Sequence, residues 1–246
     1  MKSLNKNFFD AGKDYRDFRP ILPPGIAVEL SQLAPANNRC LDCGTGNGQF
    51  AVQLAAHFNH VDAIDVSLSQ LEAAVKNDKI HYLGSRAEET PFEADVFDLV
   101  TAVQAFHWFD SERFFKEVKR ILKPDGILFL GGYSLIKGSD KFNSLLQDLY
   151  TNTLGPFWDP ERKIIEAEYQ NTSFPFEVLH LNTSYTIQAL WSPDELQGYL
   201  QSWSSVRKYI NEKGEDPIVP FMKALKDTDP QTYSFSVFYK VGRLKK

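Results

Sequence analysis

The sequence predicts an α/β fold: a mostly parallel sheet with helices on both faces, a terminal alternating strand and a helical insertion after the fifth strand. Three observations carry that expectation. Short apolar runs at 39–42, 61–66, 80–84, 97–104 and 127–132 alternate with helical stretches, the rhythm of strands covered on both faces. Residues 41–50 read Leu-Asp-Cys-Gly-Thr-Gly-Asn-Gly-Gln-Phe, a glycine turn between the first strand and its helix. The stretch from Tyr233 to Val241 alternates apolar and polar residues, as a half-wet strand does.

The elements follow in order. Residues 1–20 carry Phe8, Phe9, Tyr15 and Phe18 and read as an amphipathic lead-in; residues 1–35 form a helical cap. A helix starts at Pro23, with Ile26, Leu30 and Leu33 on one face, and 35–38 breaks it. After the glycines, Phe50, Leu54 and Phe58 set the buried face of a helix over 48–58. Ser69 and Glu72 form a capping box for a helix reaching about Lys76. Asp110 or Ser111 opens a helix that buries Phe114, Phe115, Val118 and Leu122, and 123–126 is a turn. The core therefore spans 39–132. Beyond it come two inserted helices over 140–154 and 159–168, a lid spanning 138–170. The remainder, 176–246, holds a sixth strand over 176–186, a helix capped by Ser192 and Glu195 and reaching about Ile210, a helix over 217–226, and the final strand.

Composition narrows the function classes. The chain has 246 residues, 43% hydrophobic and 24% charged, which suits one large globular domain. No apolar run approaches the ~20 residues of a membrane span, and the N-terminus has no apolar core, so no secretory signal is expected. A net charge of −5 argues against a nucleic-acid partner. The basic end, Arg243, Lys245 and Lys246, reads as a solvated tail. The two cysteines, Cys40 and Cys43, form a C-x-x-C whose first member lies inside a strand. A redox pair normally opens a helix and a zinc site needs two further ligands. Two unpaired thiols in a reducing, cytoplasmic compartment are expected. No acids or histidines have metal-ligand spacing.

The glycine turn is a ligand cradle. Glycine permits positive φ and close approach to the backbone, and a helix N-terminus supplies free N–H groups. The dinucleotide fingerprint G-x-G-x-x-G would place its third glycine where Gln49 stands. Asp42, two residues before Gly44, is poorly placed beside a pyrophosphate and well placed beside a cation. Asp65, 19 residues beyond Gly46, ends the second strand and can accept hydrogen bonds from a ribose diol. That feature fits a nicotinamide and a sulfonium nucleoside equally, and Asp65 could alternatively cap the next helix.

The acid-x-G-x-G-x-G loop resembles motif I of the class I S-adenosylmethionine (SAM) dependent methyltransferases. The stretch Gln104-Ala-Phe-His-Trp-Phe-Asp110, together with Tyr15-x-x-x-Arg19-Pro20 and Trp203-Ser204-Ser205, resembles the trans-aconitate methyltransferase-like, type 11 small-molecule subgroup. The Asn/Asp-Pro-Pro-aromatic motif of nucleobase amino methyltransferases is absent from this stretch. The resemblance implies a Rossmann-like class I methyltransferase fold of seven strands, the last of them antiparallel. It implies a cofactor site of Tyr15, Arg19, Asp42, Gly44, Thr45, Gly46, Asp65, Val66, Ala87, Glu88 and Gln104. It implies S-adenosyl-L-methionine as cofactor, S-adenosyl-L-homocysteine as product, and a small-molecule acceptor with a carboxylate as candidate. At the adenine loop Arg86 stands where the family carries an acid, so Arg86 is left to pair with Glu88 or Glu89 or to cover the adenine face.

His107 is a candidate acid/base, set against a packing role beside Trp108. The aromatics Trp108, Phe109, Trp158 and Trp203 divide between core packing and a recognition cage. Two other readings stay open: a nicotinamide oxidoreductase with a variant glycine loop, and a SAM-binding protein without turnover. The expected assembly is a monomer or homodimer, with no membrane partner.

Overall fold

A computed structural model of the chain describes residues 19–245. Those residues form two compact units. The first comprises 21–134, 163–185 and 237–245; the second comprises 19–20, 135–162 and 186–236. The lead-in segment and Tyr15 lie outside the described residues.

The first unit is the α/β core. Its parallel strands are β1 (Arg39–Cys43), β2 (His60–Asp65), β3 (Ile80–Gly84), β4 (Phe97–Val103) and β5 (Leu122–Tyr133). With β6 (Glu177–Leu179), β7 (Thr186–Trp191) and β8 (Gln231–Arg243), the strand order is β3-β2-β1-β4-β5-β8-β6, with β7 pairing β8 off that path. β8 runs antiparallel to β5, from Ile127↔Arg243 to Tyr133↔Val237. The expected antiparallel last strand is thus present; among the described residues seven strands form the main path of the sheet and β7 pairs β8 beside it.

The interior of the sheet is apolar because strands covered on both faces must be. Leu41, Ile64, Val100, Leu128 and Leu130 are fully buried, and Phe97, Phe106 and Phe114 pack among them. Helix α1 (Gly25–Leu33) buries Ile26, Ala27 and Leu30. Helix α2 (Gln49–Ala55) buries Phe50 and Leu54 as its spacing predicts, and Phe58 just beyond it is also fully buried. The short α3 (Leu68–Glu72) and the helix α4 (Ser111–Ile121) complete the core, the latter capped by Asp110, whose carboxylate accepts from Arg113 N–H at 3.2 Å. The expected turn at 123–126 appears as an interruption of β5: Phe97 pairs Leu122, then Leu99 pairs Ile127.

Several boundaries differ from expectation; among them, α2 covers 49–55 rather than 48–58 and α3 ends at Glu72 rather than about Lys76. α3 is capped by Ser67, not Ser69, because Asp65 holds the Ser67 N–H at 2.8 Å and aims its hydroxyl at Gln70 N–H. The strand expected over 176–186 is interrupted. Glu29 of α1 accepts from Asn182 N–H (2.5 Å) and the Tyr185 hydroxyl (2.6 Å), which holds this stretch as a loop between β6 and β7. The helix expected from Ser192 to about Ile210 is two helices, α7 (Pro193–Gln201) and α8 (Ser204–Lys213), because the buried Trp203 is extended at ψ 138. The inserted segment contains α5 (Asp140–Asp148), a π turn Leu149–Thr153, a 3-10 turn Gly155–Phe157 and α6 (Arg162–Glu166). The expected second inserted helix is shorter because Glu168 and Tyr169 take positive φ.

The second unit also holds α9 (Ile218–Leu225) and the β7 pairing with residues 231–236 of β8. The capping box of α7 forms as expected, with Ser192 and Glu195 exchanging bonds of 2.8 and 3.3 Å. Tyr150, Trp158 and Trp203 pack ring to ring at 4.7–6.1 Å. Among the described residues no helix is long and apolar enough to cross a membrane.

Candidate cofactor site

The site sits at the carboxyl ends of β1, β2 and β4. The three glycines of the loop all take positive φ: +66 at Gly44, +57 at Gly46 and +84 at Gly48. They are glycines for different reasons. A Cβ at Gly44 would stand 2.4 Å from Ala105 Cβ, and one at Gly48 would stand 2.1 Å from the Tyr82 hydroxyl, so both are forced by packing. A Cβ at Gly46 would meet only Gln70 Oε1, at 3.9 Å. Among the described residues nothing else fills that space; the loop presents bare backbone there, the form a cradle needs.

Two carboxylates hold the loop. Asp42 is the penultimate residue of β1, at 1% exposure; its oxygens accept from the Thr45 hydroxyl (2.6 Å) and the Thr101 hydroxyl (2.7 Å). Burial pushes its pKa up to about 6, against the pull of those two hydroxyls. Asp65 ends β2 and accepts from Gly46 N–H and Ser67 N–H, both at 2.8 Å. Burial raises its pKa too, and the backbone bonds oppose that rise. Asp65 does not cap α3; it accepts from the N–H of Ser67, the residue that does. Backbone bonds from Thr45 N–H to Ile64 O and from Gly48 N–H to Thr45 O, each 3.0 Å, fix the rest of the loop.

The remaining sequence-predicted residues divide. Val66, beside Asp65, is 48% exposed, and Leu68 is 64% exposed. Both are apolar side chains exposed to water on the segment that follows Asp65. Ala87 is buried; Glu88 accepts from Arg86 (3.3 Å) and from Asp110 N–H (3.1 Å), tying the loop after β3 to the start of α4. Arg86 thus takes the first of its expected roles. Gln104 leaves β4 at φ +53, held by its N–H on Gly131 O (2.9 Å) and its amide on Tyr133 O (3.1 Å). A non-glycine residue there costs on the order of 1 kcal/mol or more, a strain that clusters at functional sites. His107 is buried with its ring 4.9 Å from Trp108. Arg19 belongs to the second unit, where it donates to Ser202 O at 3.2 Å and lies 6.0 Å from the Tyr199 ring centroid.

Two supporting residues escaped the sequence reading: Thr101 and Tyr82. Thr101 pairs with Asp42 in the β1–β4 register, and its signal was a hydroxyl inside the apolar run Leu99-Val-Thr-Ala-Val103. Tyr82 donates to Val75 O at 2.8 Å and backs Gly48; nothing local in the sequence marks it. Cys40 and Cys43 are free, buried thiols, with pKa values raised by burial. Among the described residues no group of three or more His, Cys, Asp or Glu could hold a metal ion.

Residues 41–130 match the model of the methyltransferase domain family. A Dictyostelium discoideum protein described as a methyltransferase is 31% identical over 97% of this chain and 93% of its own length. A Saccharomyces cerevisiae protein carrying the name S-adenosylmethionine-dependent methyltransferase is 23% identical over 98% and 97%. Among solved structures, an Anaeromyxobacter dehalogenans protein described as a type II methyltransferase superposes with a TM-score of 0.85. It is 31% identical and covers 93% of this chain and all of its own. Similarity of that degree over the whole length, on top of the cradle geometry, means that the chain belongs to the methyltransferase domain family and is a SAM-dependent methyltransferase.

Proposed function

We propose that this methyltransferase acts on a small-molecule acceptor and that the receiving atom is a carboxylate oxygen, leaving S-adenosyl-L-homocysteine as the second product. The observation that carries the cofactor side is the bare backbone at Gly46, tied to Asp65. The cofactor, when bound, supplies a methyl group on a sulfonium whose leaving group is already activated, so positioning provides much of the catalysis.

The chain's own residues supply that positioning. Asp65, with Gly46 and Ser67 fixed on it, is the ribose acceptor in this reading. Val66 gives the adenine an apolar face and the Ala87 and Glu88 backbone meets its edge. Gly44, Thr45 and Gly46 carry the methionine portion, and Gln104 shapes the exit from β4. Asp42 is sealed behind the loop, so it acts on an ammonium through its charge and through Thr45. Arg19, with Tyr15, is the candidate partner of the cofactor's α-carboxylate, which matches the planar fork of a guanidinium.

The carboxylate acceptor suits His107. A carboxylate carries no proton at neutral pH, so no base is required of a ring buried against Trp108. We assign acceptor choice to the segments outside the core, 138–170 and 176–246, because the family match is confined to 41–130. A monomer or homodimer working in the cytoplasm completes the reading, with neither nucleic acid nor membrane as partner.

The test is an assay with SAM and an equimolar panel of short di- and tricarboxylic acids, primary amines and phenols, read by mass spectrometry. Methyl esters are expected. Methylation of amines or phenols alone would overturn the carboxylate assignment. Calorimetric titration with S-adenosylhomocysteine checks the cradle separately.

A further inference from the structure

The basic chain end, expected as a solvated tail, is not one at Arg243. That residue closes β8 and pairs with Ile127. Because β5 runs parallel to β1, this register puts Arg243 at the amino-terminal end of the sheet, opposite the glycine loop. A cleft of about 410 Å³ opens there, with Lys119, Arg243 and Lys245 on its rim and Phe174 and Phe176 in its wall. That volume lies within the range of small-molecule sites. The wall is fixed from behind: Phe115 is buried, and its ring centroid stands 6.2 and 6.1 Å from those of Phe174 and Phe176, which are 5.4 Å apart.

The charges of the cleft do not balance. Lys245 pairs with Glu177 at 2.8 Å. Among the described residues no carboxylate pairs with Lys119 or Arg243. Lys119 rests over the Phe176 ring at 5.8 Å, and Arg243 makes one long bond, to Leu33 O at 3.5 Å, with its Nε buried and unpartnered. A partly buried guanidinium without a counter-charge is a cost that an anion removes. On a chain of net charge −5 this is a local reversal of sign.

We propose that the cleft is a second binding site, for a small amphipathic organic anion whose carboxylate faces Arg243 and Lys119 and whose apolar body lies on Phe174 and Phe176. The proposal is independent of the acceptor assignment above. The experiment is titration of the ¹⁵N-labelled full chain with 4-phenylbutyrate, with 4-phenyl-1-butanol as the neutral analogue and S-adenosylhomocysteine present throughout. Saturable shifts are expected in the amides of Phe174, Phe176 and 242–245, with affinity lowered about fivefold in Arg243→Gln and in Lys119→Gln. Lys119 is exposed on its helix, so the second variant keeps the test alive if the first fails to fold. Affinity for S-adenosylhomocysteine should be the same in wild type and both variants. Shifts confined to other residues, unchanged affinity in both variants, or equal binding of the alcohol would each overturn the proposal.

Discussion

The carboxyl ends of β1 and β2 each carry a buried aspartate, and the two are held by different chemistry. Asp42 is satisfied by two threonine hydroxyls; Asp65 is satisfied by two backbone N–H groups. A hydroxyl can donate or accept, so its partner's charge is negotiable. A backbone N–H only donates, so its partner must present an acceptor. The β1 tip is therefore a tunable anchor beneath the loop, whereas the β2 tip is a rigid clamp on Gly46 beside the space the loop leaves bare.

The sharpest way to break this comparison is substitution of Asp65. Asp65→Ala should weaken binding of SAM and S-adenosylhomocysteine roughly 10- to 150-fold, the worth of hydrogen bonds to a charged group. Asp65→Asn should lose nearly as much, since its amide would point a donor at a backbone donor. Calorimetry giving the asparagine variant near wild-type affinity would show that the clamp is not what holds the ligand.

Asp42→Asn should behave in the opposite way. Thr101 can turn its hydrogen to Leu41 O, 3.3 Å away, and accept from the new amide. The folded pKa of Asp42, about 6, lies above its ordinary value of 3.8. Folding therefore favours the protonated form: this group's contribution to stability is fullest below pH 3.8 and falls as pH rises through about 6. The difference amounts to ~3 kcal/mol. The asparagine variant should thus be more stable than wild type by about 1–3 kcal/mol above pH 7, with the two curves converging near pH 4. Urea unfolding across that range measures it; a constant offset at all pH values would refute the buried-charge account.

The same titration should reach the ligand. An ammonium near the loop prefers ionised Asp42, so wild-type affinity for S-adenosylhomocysteine should fall as pH drops through 6, and Asp42→Asn should flatten that fall. Thr101→Val leaves one buried oxygen of Asp42 without its donor and should cost about 1–3 kcal/mol, read as a lower thermal midpoint with little change in ligand affinity at pH 8.

The smallest expected effect belongs to Arg19. If Arg19 binds the cofactor carboxylate, Arg19→Ala lowers affinity for S-adenosylhomocysteine by a few fold, because the guanidinium is already shared with Ser202 O and the Tyr199 ring. Wild-type affinity with a raised acceptor KM would move Arg19 to the acceptor instead.

How much of this was legible in the chain follows from the range of the interactions involved. Local spacing determined the five core strands, the glycine turn, the α7 capping box and the existence of the final strand, because strand alternation, helix periodicity and caps are set by neighbours within a few residues; the antiparallel direction of that strand followed from the family resemblance. The carboxylates at the strand tips were readable for the same reason: they stand at fixed distances from the glycines.

What only the tertiary structure decided rests on contacts between distant residues. Glu29 interrupts the sixth strand from 153 residues away, a distance no window of sequence spans. Trp203 splits a helix whose periodicity is continuous, because burying an indole outweighs helix propensity. The different reasons for Gly44, Gly46 and Gly48 appear only once Ala105 and Tyr82 are folded against two of them. Arg243 reads as the start of a basic tail until β8 pairs it with Ile127. Sequence fixes which groups are available; long-range packing determines which of them are already satisfied and which still face open space.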